Sequence, residues 1–324
     1  MAVAANALET YDSKTIREDL QEAENMISPT ETPFYSMIAG RMKATSTLHE
    51  WPLLELAAVN SSNRVAEGED APTVSAPDVA MRRSNYTQIS FKNVKVSSTA
   101  QAVDGAADIE KLAKQVSYKL KELKRDKEQM LLDNTAADPG AAAGATVRKA
   151  AGLPAFLITN ASRGTGGTAP TLSGTTNGYP NGAAGDGTLR DLTEDLLNTV
   201  IQSVWTQGGD PRYCLVSPIN KRVISTTFNA YATKYKDADD KKLVTSVNVY
   251  ESDFGTVQIV PNRFQRGRDV FVIDPDYVDI AELQPTKQEP LAKTGLTDNR
   301  LISCEYTLHV GNEKAQGIVA DTNG

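Results

Sequence analysis

Residues 107–133, ADIEKLAKQVSYKLKELKRDKEQMLLD, carry the clearest periodic signal in the chain. Ile109, Leu112, Val116, Leu120, Leu123, Met130 and Leu131 recur at steps of three and four, the spacing of one helix face. Lys127 breaks the stripe where an apolar residue is expected. The segment mixes seven Lys/Arg with six Asp/Glu, which reads as a solvated face and not as a nucleic-acid surface. Asp104 is a fair N-cap, and Asp138-Pro139-Gly140 ends the element. Such a helix is roughly 40 Å long. A single apolar stripe of that length needs an equally long partner, such as strands laid beside it.

The flanking sequence supplies candidates. Upstream, residues 49–56 (HEWPLLEL) and 86–96 (YTQISFKNVKV) read as the two arms of a long hairpin. Alternation at Ile89 and Phe91 resumes out of phase at Val94 and Val96, so a bulge is expected near Asn93. Between the arms, residues 60–77 form a polar tip with Gly68, Pro72 and Pro77. An isolated two-stranded ribbon is marginal in water, so it must lie on another surface. Residues 1–31 hold seven Asp/Glu against Lys14 and Arg17, with a short helix expected around 15–26 and extended backbone at Ser28-Pro29 and Thr32-Pro33.

Downstream, residues 159–188 are rich in Gly, Thr and Asn and read as a surface insertion. Residues 189–205 give a second amphipathic helix, with Leu192, Leu196, Leu197, Val200 and Val204 on one side. Residues 213–216 form a short buried strand, and Ser217-Pro218 opens a helix. Strands follow at 245–250, 256–260 and 270–273, and a long alternating strand runs through Ile302, Cys304, Tyr306, Leu308 and Val310. The class is α+β.

Composition and motifs narrow the function. The 324 residues carry a formal net charge of −7, which disfavours general binding to a polyanion. Cys214 and Cys304 sit in apolar strand-like runs and read as buried free thiols. No apolar run approaches the ~18 residues of a membrane span, and the N-terminus lacks the pattern of a signal peptide, so synthesis in the cytosol is expected. His49 and His309 lie far apart, and neither HExxH nor CxxC spacing occurs. A P-loop and a G-x-S-x-G elbow are missing as well. Carboxylates cluster at 237–240 (DADD) and 274–279 (DPDYVD), where solvated turns are favoured over a cation site. The expectation is no catalytic, cofactor or metal site.

The order of parts resembles the Hong Kong 97-type capsid fold of tailed bacteriophages. Local sequence sharpens the likeness: ISPTETPFYSMI at 27–38, His49-Glu50-Trp51, and Gly152-Leu153-Pro154 are similar to segments of phage major head proteins. The resemblance implies an N-terminal arm at 1–44, an extended E-loop hairpin at 45–100 and a P-domain with its spine helix at 101–150. An A-domain at 151–285 and a return to the P-domain at 286–324 complete it. It implies a structural subunit of the virion that assembles with itself into hexamers and pentamers of an icosahedral head around double-stranded DNA. Scaffolding, portal and decoration proteins are further partners, and contact with packaged DNA is weak and non-specific. A tail-tube or decoration protein and an encapsulin-type compartment are the alternatives.

In this setting the arm and the hairpin complete their burial on neighbouring copies. Trp51, Leu53 and Leu54 are candidate anchors, and Arg64, Arg82 and Arg83 would face Glu67, Glu69 and Asp70 of adjacent copies. The tip has no lysine, so a covalent crosslink between subunits is not expected.

Overall fold

The apolar stripe forms helix α3, Leu112–Leu132. It starts later than its sequence suggests. Asp108 adopts a left-handed backbone (φ 51°) and Lys111 stands at the N-cap, so Ile109 stays outside the helix. The helix is therefore about 32 Å long, not 40 Å. The computed structural model describes residues 28–38, 40–68, 70, 79–103, 108–141, 145–174, 177–228, 248–293 and 295–323. The expected cap Asp104, the helix at 15–26 and the carboxylates at 237–240 lie outside them.

The long partner is a four-stranded sheet ordered β1 (Arg41–Lys43), β12 (Val278–Pro290), β13 (Thr297–Val310) and β4 (Gln88–Ser97). Phe34, Val116, Leu123, Leu131, Ile280, Ile302, Tyr306 and Leu308 share one core between α3 and this sheet. Lys127, the break in the stripe, is buried there too. Its Nζ donates to Thr286 Oγ1 at 3.0 Å and lies 4.9 Å from the centre of the Tyr306 ring. The four-carbon stem fills the apolar position while the ammonium finds an oxygen and a π face.

Two readings of the hairpin are corrected. Apart from Tyr86, residues 86–96 are not its second arm, and no bulge occurs near Asn93. β4 pairs with β13 in unbroken register from Gln88↔Tyr306 to Ser97↔Thr297. Its burial alternates strictly, with Val94 inside and Ile89 and Phe91 exposed. The change of phase is one of composition: the inner positions include Ser90 and Lys92, and Lys92 meets Asp126 of α3 at 2.7 Å. The ribbon is instead β2 (Leu48–Leu53) with β3 (Met81–Tyr86), paired from Leu48↔Tyr86 to Leu53↔Met81. Thr87 alone separates β3 from β4.

β12 has no counterpart in the sequence reading. Its first residues, Val278, Ile280 and Ala281, are buried, but residues 284–290 are exposed throughout. β1 flanks it only at Ile280–Glu282, so the outer half is an edge with no face to bury and no alternation to display. Pro285 falls at the register shift between Gln284 and Lys287.

The second sheet has six strands in the order β5 (Ala161–Ser162), β14 (Gly317–Val319), β11 (Val270–Ile273), β8 (Tyr213–Val216), β10 (Gly255–Pro261) and β9 (Val249–Ser252). Helices α4 (Glu194–Thr206) and α5 (Pro218–Thr227) pack on it, burying Leu197, Val200, Ile201, Val204 and Ile224. Ser217 caps α5 through Oγ, which accepts from Asn220 N at 3.2 Å. Both cysteines are buried free thiols. Burial pushes the Cys214 thiol up to about 12, which removes it as a nucleophile at neutral pH.

The Gly/Thr-rich stretch is more than a surface loop. It contributes β5, β6 (Thr171–Leu172) and β7 (Pro180–Gly182) and is tied to the end of α3. Asn134 donates from Nδ2 to Ala184 O at 2.7 Å and accepts from Ala184 N at 3.0 Å. At 274–279 a cation is already supplied by the chain: Arg212 pairs with Asp276 and lies 3.5 Å from Asp274.

Candidate assembly interface

The sheet and α3 fix the root of the ribbon from several sides. Strand alternation turns His49, Trp51 and Leu53 toward the body and Glu50 and Pro52 outward. Trp51 is buried, 4.3 Å from the ring of His309 and 6.2 Å from that of Phe156. His49 Nε2 lies 3.2 Å from His309 Nδ1. On β3, Asn85 is fully buried and donates to Leu308 O at 2.9 Å, while accepting from Ala151 N at 2.9 Å. Thr87 Oγ1 donates to Glu305 Oε1 at 2.6 Å. Arg148 pairs with the same carboxylate and donates from Nε to Thr87 O at 2.8 Å. The Gly/Thr-rich stretch closes the other edge, with Gly178 N donating to Arg82 O at 2.9 Å and Tyr179 edge-on to Tyr86 at 4.9 Å.

The imidazole pair makes this root acid-sensitive. Burial pushes both rings below their usual range, and the neighbouring His49 charge helps take His309 to about 4. Between about pH 6.5 and 4 the folded chain thus binds fewer protons than the unfolded one. This contribution is present above pH 6.5 and lost as pH falls toward 4. Allowing for partial exposure of the pair, it amounts to about 2 kcal/mol. Denaturant unfolding at pH 7 and pH 4.5 should show the wild type losing about that much more than His309→Gln. Equal losses would remove the pair from the account.

A second anchor fixes the N-terminal side. Helix α1, Pro33–Met37, begins in the T-P-F segment and buries Phe34 completely. Glu128 of α3 is also fully buried. Its Oε1 accepts from Phe34 N at 2.8 Å and from Asn262 Nδ2 at 2.6 Å, and its Oε2 accepts from Tyr35 N at 2.7 Å. Proline at the first helical position has no N–H, so the carboxylate meets the next two donors of the helix. Burial pushes the Glu128 carboxyl up, against those three bonds and Lys124, which pull it down. The G-L-P segment closes the far end: a Cβ on Gly152 would stand 2.0 Å from Asp133 O, so only glycine lets this turn abut the end of α3.

Beyond its root the described residues of the ribbon are mostly exposed. Glu55 accepts from Lys314 Nζ at 2.6 Å, and past it Leu56 is 88% exposed and Val59 100%. Val65, Val79 and Leu54 are exposed as well. Of the residues singled out from sequence, Trp51 and Leu53 are buried in their own subunit and anchor the ribbon to it. Leu54, Arg64, Glu67 and Asp70 are exposed on the outer part, and Glu69 lies outside the described residues. Arg82 lies 3.5 Å from Glu50 across the ribbon, and Arg83 is half-buried opposite Trp51. Sequence reasoning placed Ile89 and Phe91 in a hairpin arm, and the structure puts them on the outward face of the four-stranded sheet.

Comparison with known proteins agrees with this architecture. The curated major capsid protein of Escherichia phage Phieco32 is 25% identical, with 97% of each chain covered. The capsid structure of cyanophage A-1(L) superposes with a TM-score of 0.66 at 12% identity, covering 98% of this chain and 99% of that one. The capsid of a native GTA particle gives 0.59 at 14% identity and 97% coverage of both. The family model for the SU10 major capsid protein matches residues 4–323. With nearly its whole length matched, and with the fold of phage capsid subunits, this chain belongs to the SU10 major capsid protein family.

Proposed function

We propose that this protein is the repeated subunit of an icosahedral phage head, joining copies of itself into hexamers and pentamers around double-stranded DNA. The observation that carries this reading is the ribbon, whose root is bound to its own subunit while its outer part holds Leu54, Leu56, Val59 and Val65 in solvent. Scattered apolar residues on a surface are ordinary, but the segment that carries these, beyond the paired strands β2 and β3, shows no core of its own among the described residues. Neighbouring copies offer one, and Ile89 and Phe91 on the open face of the sheet are a surface for it. Arg64, Glu67 and Asp70 then set register between copies, each pair contributing about 0–1 kcal/mol. The role is structural and non-enzymatic. Scaffolding, portal and decoration proteins are the further partners of this reading. A net charge of −7 keeps contact with the packaged DNA weak.

Leu56→Asp combined with Val59→Asp tests this reading. The double variant should unfold at the wild-type temperature, since both side chains are exposed, yet lose at least tenfold in assembled particles by sedimentation and negative-stain microscopy. A wild-type chain that stays monomeric at high concentration, with the ribbon protected on its own body, would sink the proposal.

A further inference from the structure

The N-terminal half of α3 is only half covered. Two open pockets lie in succession along it, between the helix and the exposed outer half of β12. The first, about 560 Å³, has Leu112 and Val116 as its floor and Gln288 and Arg300 as its wall. The second, about 180 Å³, has Leu120 and Leu123 as its floor, Lys124 and Thr286 beside them, and Tyr35 of α1 at its end. Leu120 is 41% exposed although it belongs to the apolar stripe. The rim is cationic, with Lys111, Lys124 and Arg300. Lys111 is paired with Asp108, Lys124 acts on the buried Glu128 and Arg300 on Asp298, which is itself paired with Lys293.

We propose that this groove is the seat of the chain's own residues 15–27. Three features point to that occupant. The first is pattern: Ile16, Leu20, Ala23 and Ile27 follow steps of four, three and four, one face of a helix. The second is length, because Ile16 to Ile27 and Leu112 to Leu123 both span eleven residues, about 17 Å of helix. The third is charge: residues 1–27 hold six Asp/Glu against two Lys/Arg, a net −4, opposite the basic rim.

Tethering favours the same chain. Thr32 is buried at the start of α1, and five residues of extended backbone reach about 17 Å from it. Tyr35, three residues further on, lines the near end of the groove. Ile27 therefore falls beside Leu123 and Ile16 beside Leu112, with the segment parallel to α3. This departs from the expectation that neighbouring copies complete the arm. It holds for the free subunit, whether or not that subunit builds a shell.

Cysteine pairs in the full-length, unassembled chain test it. That register places Ile16→Cys beside Leu112→Cys and Ala23→Cys next to Leu120→Cys, the groove-lining residue at its level. Lys121→Cys, one residue on and turned away from the groove, is the control for Ala23→Cys. The native Cys214 and Cys304 are buried and do not compete. Under mild oxidation both pairs should close within one chain, at least fivefold faster than the control, with peptide mass spectrometry locating the bond. Linkage only between chains would overturn the assignment to the same subunit. Closure no faster than the control would overturn the groove as the seat. The two pairs are read separately, so one misfolded variant leaves the other informative.

Discussion

Glu128→Leu should lower the unfolding free energy by about 3–5 kcal/mol. The substitution fits the apolar stripe of α3 and improves helix propensity, so sequence pattern alone predicts the opposite sign. It removes the carboxylate that receives Phe34 N, Tyr35 N and Asn262 Nδ2. Three donors lose their acceptor, those of Phe34 and Asn262 in the buried interior, and each unmet buried donor costs about 1–3 kcal/mol. Glu128→Gln should fall between, since its amide oxygen can serve one oxygen's partners while its NH₂ faces the other donor. Chemical denaturation gives the free energies. Hydrogen exchange at residues 33–38 should speed up before the rest of the chain unfolds. A stable Glu128→Leu variant with α1 still protected would show that Phe34 alone holds the arm in place.

Arg148→Ala should cost a similar amount, about 3–5 kcal/mol, because it strips the cation from a buried carboxylate. Glu305 is 5% exposed and shares its Oε1 between Arg148 and Thr87. Adding Glu305→Gln removes the charge left behind, so the double variant should recover more than half of that loss. The cycle separates two accounts. If the pair acts through charge, the second substitution rescues the first. If Arg148 acts only through its bond to Thr87 O, the losses add and nothing is recovered. Amides at the root of the ribbon should report the same opening by hydrogen exchange.

Much of the fold was legible because burial writes a period into the chain. The stripe of α3, the runs at 213–216 and 270–273, and the alternating strand through Tyr306 each bury one face or both. What escaped reading has no such period. The outer half of β12 buries neither face, and its Pro285 and Pro290 read as loop. β3 (MRRSNY) is held by Asn85, by pairing with β2 and by the stretch around Gly178, none of which requires apolar side chains. Ile89 and Phe91 misled because an alternating apolar pair marks a strand but does not say which strand it pairs with, β2 or β13.

The burial of Trp51 in its own subunit escaped the sequence for a related reason. Trp51 was singled out for its size, but size does not say on which subunit a side chain is buried. That is decided by His309 and Phe156, more than a hundred residues away in sequence. The anchor for the T-P-F segment did leave a trace. A glutamate beside a lysine, in the interior of an otherwise apolar face, is the pattern of a buried polar contact.

The single residue between β3 and β4 bears on how such ribbons change over evolutionary time. Adding or deleting one residue at Thr87 would turn every side chain of one strand to the opposite face, sending Val94 outward or Asn85 away from its carbonyl partners. Adding residues between Leu53 and Met81 leaves both strands as they are. Ribbon span can therefore drift freely at its far end while its base stays frozen, so lattices of different spacing are within reach of one unchanged body.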